Sequence, residues 1–276
     1  MLERYYADPG YMIDYSHARF DSYPEASFHL HDRFEIYFFI SGDVNYFIEK
    51  KVYCLKYGDL LIMNSSEIHR PQFSSNTPYE RIVIHFDPEV AALFEAPGHD
   101  LLKCFGQRPV GERNRISLGS VQADKMLALC EKIGSATKNG GSGSDLLKLI
   151  SFIELLIYIN DLYSAKGHKA EHPGMPDKLV AVLDHINNNI SGDLSLAMLE
   201  KLFFINRFHL SRLFREIVGS SLHEYIIYKR VSRAKLLLSG GMSVTDAAYE
   251  SGFNDYSNFF RIFKRTVGIS PGRYKA

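Results

Sequence analysis

The sequence predicts a multidomain chain: an N-terminal all-β barrel with accessory helices, then a C-terminal all-α domain built from two helix-turn-helix motifs. Three observations predict it. β-branched and aromatic runs divided by turn residues fill roughly the first third, the apolar spacing turns helical after Asp100, and a C-terminal segment repeats itself 49 residues further on. A chain of 276 residues is long for one core, and 46% hydrophobic with 13% aromatic residues is enough to pack two.

The strand candidates are "SFHLH" (27–31), "FEIYFFI" (34–40), "VNYFIEKKVYCL" (44–55), "DLLIMN" (59–64) and "RIVIHF" (81–86), with "SGD" (41–43) and "KYGD" (56–59) as turns. Such short, regularly spaced strands build an antiparallel barrel or sandwich. Helical spacing then covers 119–133 and 145–165, joined by the flexible "KNGGSGSD" (138–145). The stretch "LLKLISFIELLIYINDL" (146–162) is apolar around most of its circumference. It is short for a membrane span and carries Lys148 and Glu154, so it is read as a helix covered by the domain or by a second subunit, and no membrane partner is expected. "AEHPGMPDK" (170–178) reads as an interdomain linker. The expected division is a barrel over 1–100, a helical dimerisation segment over 101–170, a linker over 171–177 and the helical domain over 178–276. "MLERYYADPG" (1–10) lacks the pattern of a signal peptide, and Cys54, Cys104 and Cys130 show no metal-type spacing and suit a reducing compartment; a cytoplasmic protein is expected.

The net charge of zero conceals an asymmetry. From Leu199 onward there are thirteen Lys/Arg against six Asp/Glu, while the preceding chain has 19 against 26. A basic module with an anionic partner, double-stranded DNA, is therefore expected at the C-terminus. The repeat aligns "FFINRFHLSRLFREIVGSSLHEY" (203–225) with "GFNDYSNFFRIFKRTVGISPGRY" (252–274). In the first copy Asn206 caps a helix whose Leu210, Leu213, Phe214 and Ile217 face a core and which Gly219 ends. Its outer side carries Arg207, His209, Ser211, Arg212 and Arg215. In the second copy Asp255 or Asn254 caps, Phe259, Ile262 and Phe263 are buried, and Tyr256, Ser257, Asn258, Arg261, Lys264 and Arg265 point outward. A polar helix face of this kind backed by a small core suits a major-groove reader. Between the copies, "LHEYIIYKRVSRAKLLLS" (222–239) reads as one helix of about 27 Å, compatible with two readers one DNA turn of about 34 Å apart. Arg207, Arg212, Tyr256, Asn258 and Arg261 are assigned to base edges, and Lys229, Arg230, Lys264 and Arg265 to phosphates.

These residues carry a resemblance. "HLSRLFREIVG", "YKRVSRAKLLL" and "AAYESGFNDYSNFFRIFKRTVGISPGRY" resemble the double helix-turn-helix domain of the AraC/XylS family of bacterial transcription regulators, over the whole of 178–276. One departure is Glu200, where that family usually has a small residue. The resemblance implies a DNA-binding regulator, an activator or a repressor, and a homodimer is expected, with RNA polymerase as a further partner.

The N-terminal half contains "FHLHDRFE" (28–35), which sets His29, His31 and Glu35 within seven positions. Two histidines and a carboxylate form a metal-type donor set. "HLHDRFEIYFFISG" and "KYGDLLIMNSSEIH" resemble the paired motifs of a cupin barrel, in which His29, His31, Glu35 and Gly42 match the first motif, and Gly58 and His69 the second. Tyr23 and Ser65 or Ser66 depart from it. Three readings stand. His29, His31, Glu35 and His69 could hold a metal in an enzyme, hold one without turnover, or line a pocket for a small organic effector. The third is preferred, because small ligands bind in apolar-walled barrels with a few convergent polar groups. His29, His31, Arg33 and Glu35 share a parity that one unbroken strand would turn to one face. Arg33, Tyr37, Tyr46, Arg81 and His85 are candidates to join them, the tyrosines reading equally well as core aromatics with satisfied hydroxyls, and the family resemblance makes a sugar the first guess. No further cofactor is expected. The rivals to this ligand-responsive regulator are a metal-dependent cupin enzyme with a DNA-binding tail and a constitutive DNA-binding protein.

Overall fold

The computed structural model describes residues 13–22, 26–75, 77–92, 94, 100–139, 143–165 and 174–275. Tyr23, the N-terminal decapeptide and parts of the expected loop and linker lie outside the described residues. Among the described residues eight strands come first: β1 (Ile13–Phe20), β2 (Phe34–Ser41), β3 (Val44–Ile48), β4 (Lys51–Cys54), β5 (Asp59–Met63), β6 (His69–Phe73), β7 (Tyr79–Phe86) and, after two short helices α1 (Glu89–Ala92) and α2 (Lys103–Gly106), β8 (Arg115–Ser117). Helices α3 (Ser120–Asn139) and α4 (Ser144–Ala165) follow, then α5 (Asp177–Asn188), α6 (Leu196–Phe203), α7 (Arg207–Val218), α8 (Leu222–Ser239), α9 (Val244–Glu250), α10 (Tyr256–Val267) and α11 (Pro271–Lys275).

The strands form two antiparallel sheets, in the orders β1-β7-β2-β5-β8 and β4-β3-β6. Alternation along β2 explains the layering. Ile36 and Phe38 join the apolar cluster beneath α3 and α4, with Phe152, Leu155 and Ile159, while Tyr37 and Phe39 turn to the barrel interior with Tyr46, Tyr53 and Tyr79. The smaller sheet repeats this. Tyr46 and Ile48 face inward, whereas Phe47 points outward and joins the core of the C-terminal helices beside Phe214 and Tyr225. The order of layers is thus helices, five-stranded sheet, barrel interior, three-stranded sheet and C-terminal domain.

Several expectations change. "VNYFIEKKVYCL" is a hairpin, with Glu49 at φ 55° in its turn. "SFHLH" contributes a single bridge, His29 with His69, instead of a strand. Strands β1, β6 and β8 were not expected. β6 contains Pro71, tolerated because β6 is the edge of its sheet, and β8 pairs with β5, so the barrel draws on chain beyond residue 100. Gly174, at φ 71°, sits so close to the Val52 carbonyl that any side chain would collide with it, which seats the end of the linker on the hairpin.

One buried ion pair fastens the loop after α2 to the barrel. Both nitrogens of the Arg108 fork meet the Glu67 carboxylate at 2.5 Å, and neither side chain is exposed. Glu67 also accepts the amides of Asn64 and Gly111, and Arg108 donates to the carbonyls of Cys104, Ile62 and Glu112. Breaking such a pair strands a charge in an apolar setting. Glu67→Gln is expected to cost about 3–5 kcal/mol, seen as a lower urea midpoint for the transition of the β-domain. The double variant Glu67→Gln/Arg108→Met is expected to recover much of that loss.

Candidate sensing cluster and nucleic-acid interface

The polar end of the barrel is organised around Glu35, at the start of β2 and 2% exposed. The Nε2 atoms of His31, His69 and His85 lie 2.9, 3.1 and 3.0 Å from its Oε2. Each comes from a different place: His31 from the loop before β2, His69 from the start of β6, His85 from β7, where it stands opposite Glu35 in register. The shared parity did not produce this. Residues 32 and 33 form a bend, and the bend brings His31 back over Glu35. His29 meets the cluster through its ring, 5.6 Å from that of His69.

Burial opposes charge on Glu35, but His69 and His85 outweigh it and hold the carboxyl well below its ordinary value. Burial likewise works against a charged His69, yet the Glu35 carboxylate prevails and raises it. Burial lowers His31, and burial together with the neighbouring His69 pushes His29 down to about 3.

A cleft of about 660 Å³ opens beside this cluster. His29, His31, Arg33 and His85 line one side, and Tyr228, Thr266 and Val267 of the C-terminal domain line the other. Tyr37 and Tyr46 are not in it. Both are 2% exposed, their rings pack 4.7 Å apart, and the Tyr37 and Tyr79 hydroxyls pair at 2.6 Å. They fill the barrel interior as core aromatics. Arg81 also stays away from the cleft, over the ring of Phe20. The expected pocket inside the barrel is therefore occupied by side chains, and the open space lies at its mouth.

In the C-terminal domain both capping expectations hold. Asn206 accepts the amides of Phe208 and His209, Asp255 accepts that of Asn258, and Gly219 and Gly268 end α7 and α10 at φ 77° and 89°. Arg207, His209, Arg212 and Arg215 are exposed along α7, with Ser211 half-buried; Tyr256, Ser257, Arg261, Lys264 and Arg265 are exposed along α10, with Asn258 half-buried. Asn258 accepts a hydrogen bond from Arg261 at 3.1 Å. Glu200 has a role of its own, since its carboxylate accepts the Arg207 amide and ties α6 to α7. Two of the expected phosphate contacts are engaged elsewhere. Lys229 pairs with Glu49 at 2.8 Å, and Arg230 donates to the carbonyls of Ile190 and Gly192. Both lie on α8, whose other side is held by the core.

Sequence reasoning missed the residues that join the domains. Arg70 donates to Val218 O at 2.7 Å and Gln72 to Glu216 O at 2.9 Å, so the edge strand β6 grips the C-terminal end of α7. Lys50 pairs with Asp184, and Asp32 receives both Lys235 at 2.6 Å and the Tyr274 hydroxyl at 2.9 Å. It also missed Phe204 and Phe208, 89% and 72% exposed beside the first motif. Phe208 lay in the quoted repeat, but only the position of the helix face shows that it points outward.

Residues 12–145 match the family described as an AraC-like ligand binding domain, and residues 199–276 a helix-turn-helix domain. The chain is 27% identical over 83% of its length to the uncharacterized HTH-type transcriptional regulator YbfI of Bacillus subtilis, of which it covers 80%. It is 36% identical over 40% of its length to the HTH-type transcriptional activator AarP of Providencia stuartii, covering 82% of that protein. It also matches an HTH-type regulator of Staphylococcus aureus at 30% identity, but spans 17% of that protein's length. Among solved structures, apo ToxT from Vibrio cholerae is similar over 96% of this chain and 97% of its own, at 15% identity and a TM-score of 0.43. The DNA-binding domain of AdpA in complex with a target DNA is similar over 36% of this chain and 91% of its own, at 27% identity and a TM-score of 0.35. The relatives are regulators, which decides against the enzyme reading of the histidine motif. With a ligand-binding domain in front of two capped, basic helix-turn-helix units, the chain belongs to the AraC family of transcriptional regulators.

Proposed function

We propose that a small effector enters the cleft between the barrel and the second helix-turn-helix and changes how firmly one domain holds the other. The observation that carries this reading is Asp32. It adjoins His31 on the rim of the cleft, and it binds Lys235 of α8 and Tyr274 of α11. An effector that seats against His31 and Arg33 moves the segment on which the DNA-binding domain is latched. It acts as a switch to the extent that it binds one arrangement better than the other. The polar side of the cleft suits hydroxyls or a carboxylate, and Phe28, Tyr228 and Val267 supply apolar walls, so sugars and small organic acids are the classes to test first.

DNA is read by α7 and α10. Arg207, Arg212, Tyr256, Asn258 and Arg261 reach base edges, and Lys264 and Arg265 take phosphates. The homodimer forms on α4, where Leu146, Leu147, Ile150 and Ile157 are each about half or more exposed on a helix otherwise packed into the barrel. Two copies then present four reading helices to promoter DNA in the cytoplasm, where RNA polymerase is the further partner. No helix among the described residues is long and apolar enough to cross a membrane.

Three outcomes are expected. On matched and scrambled operators, Arg261→Ala costs about 1–3 kcal/mol on the matched site and relaxes sequence preference, while Lys264→Ala weakens all sites and lowers the salt slope by about one; equal behaviour of the two variants defeats the assignment. In light scattering, Ile150→Glu/Ile157→Glu is monomeric at concentrations where the parent is dimeric. In a thermal-shift screen of sugars and organic acids, a true effector at about 100 times its Kd adds about 2.7 kcal/mol, a Tm rise of roughly 5–10 °C. Arg33→Ala abolishes that rise. A screen without any hit returns the protein to the constitutive class.

A further inference from the structure

Helix α7 puts one apolar ring at the head of a polar face. Phe208, Ser211, Arg212 and Arg215 recur at the spacing that stacks side chains along one side of a helix. That side lies opposite the buried Leu210 and Phe214, and Phe208 is 72% exposed on it. A single apolar side chain in water is ordinary, but the setting of this one is not. Phe208 is the second residue of the helix, its amide accepted by the cap Asn206, and the first turn of a recognition helix is the part that meets base edges. The Arg207 guanidinium lies 5.1 Å from the ring centroid and covers one face of the ring. Glu200 stands 3.9 Å from Arg207 Nε and steadies that stack. The matching position in the second copy, 49 residues on, is Ser257. There the exposed ring is Phe260, one turn further along α10 and beside Tyr256.

A phenyl edge offers no conventional hydrogen bond, so in the major groove it discriminates by apolar contact. Of the bases, thymine alone presents an apolar group there, its C5 methyl. We infer that Phe208 reads a thymine, its uncovered side packing on the C5 methyl of one dT in the half-site segment under α7. This rests on the reading in which α7 enters the major groove. It makes the two motifs unequal readers: α7 recognises a methyl group at the place where α10 offers the hydroxyl of Ser257. Phe204, the other exposed ring of the first motif, stands in the turn at φ 49°, before the helix begins, and takes no part.

The test uses the full-length protein and a duplex that it selects from a randomised pool. Each dT of that site is replaced in turn by dU, which keeps the base pair and removes only the methyl. At one or two positions dU is expected to weaken binding by the parent roughly fourfold, the effect of exposing about one methyl group. In Phe208→Ala, dT and dU are expected to bind equally at those positions, at or below the level of dU with the parent. Phe208→Ser, which copies the second motif, behaves the same. Circular dichroism and thermal midpoint stay those of the parent, because the ring lies outside the core. Phe204→Gly, which suits the left-handed backbone there, keeps the fourfold difference. An equal cost of dU in the parent and Phe208→Ala at every position overturns the inference. So does loss of the difference in Phe204→Gly with retention in Phe208→Ala. A Phe208→Ala protein that keeps its dT preference but loses transcription in vitro assigns the ring to a protein partner, which also overturns it. Arg212→Ala separates the two levels of the argument. If it changes sequence preference while the dU pattern ignores Phe208, α7 remains a reader and only the thymine contact falls. If it keeps the parent's preference, the reading of α7 falls and the thymine contact with it.

Discussion

The middle strand β3 of the sheet β4-β3-β6 is buried on both faces, and the rest of the molecule is arranged around that constraint. An antiparallel sheet of this size ordinarily leaves one face to water. Here the inner face closes the barrel with Tyr46 and Ile48, and the outer face gives Phe47 to the core of the helical domain. Water has no place between the domains at that point, so the polar groups around Phe47 must find partners across the joint. Glu49 takes Lys229, and Arg70 and Gln72 take the free carbonyls at the end of α7. A guanidinium at a helix C-terminus also meets the negative end of the helix dipole. Gly219, which ends α7, lies where Arg70 passes, and any side chain there would collide with the guanidinium.

This joint turns a sensor and a DNA reader into one body. The apolar part, Phe28, Leu30, Phe47 and Ile68 against Phe214 and Tyr225, resists separation without reference to ligand. The polar part at Asp32 lies at the edge, where Asp32 is exposed and salt and ligand can reach it. A small change beside His31 therefore acts on the weaker half of the joint. The histidine cluster and the latch share one short segment, 29–33, that belongs to no strand.

Much of this could be read from the chain. Asn206, Asp255, Gly219 and Gly268 sit where helix ends need them, and the 49-residue repeat places two like helices. The alternation in β2 separates Ile36 and Phe38 from Tyr37 and Phe39. The barrel strands that escaped notice have weak local signals: β6 holds a proline, β8 is three residues long, and β1 is a polar edge. Tyr37 and Tyr46 were open between pocket and core because a tyrosine has the same sequence signature in either place.

By itself the sequence determined what depends on neighbours a few residues away: helix caps, hydrophobic period, turn chemistry and the basic bias of the C-terminal third. The tertiary structure alone decided which distant groups meet. Register between β2 and β7 puts His85 on Glu35, and the bend at 32 and 33 leaves His29 to the side. The outward turn of Phe47 brings Lys229 to Glu49 and takes it away from phosphates. The reason is physical. Local structure follows from backbone sterics and short hydrogen bonds, whereas the pairing of charges far apart in the chain is imposed by which apolar faces must be buried together.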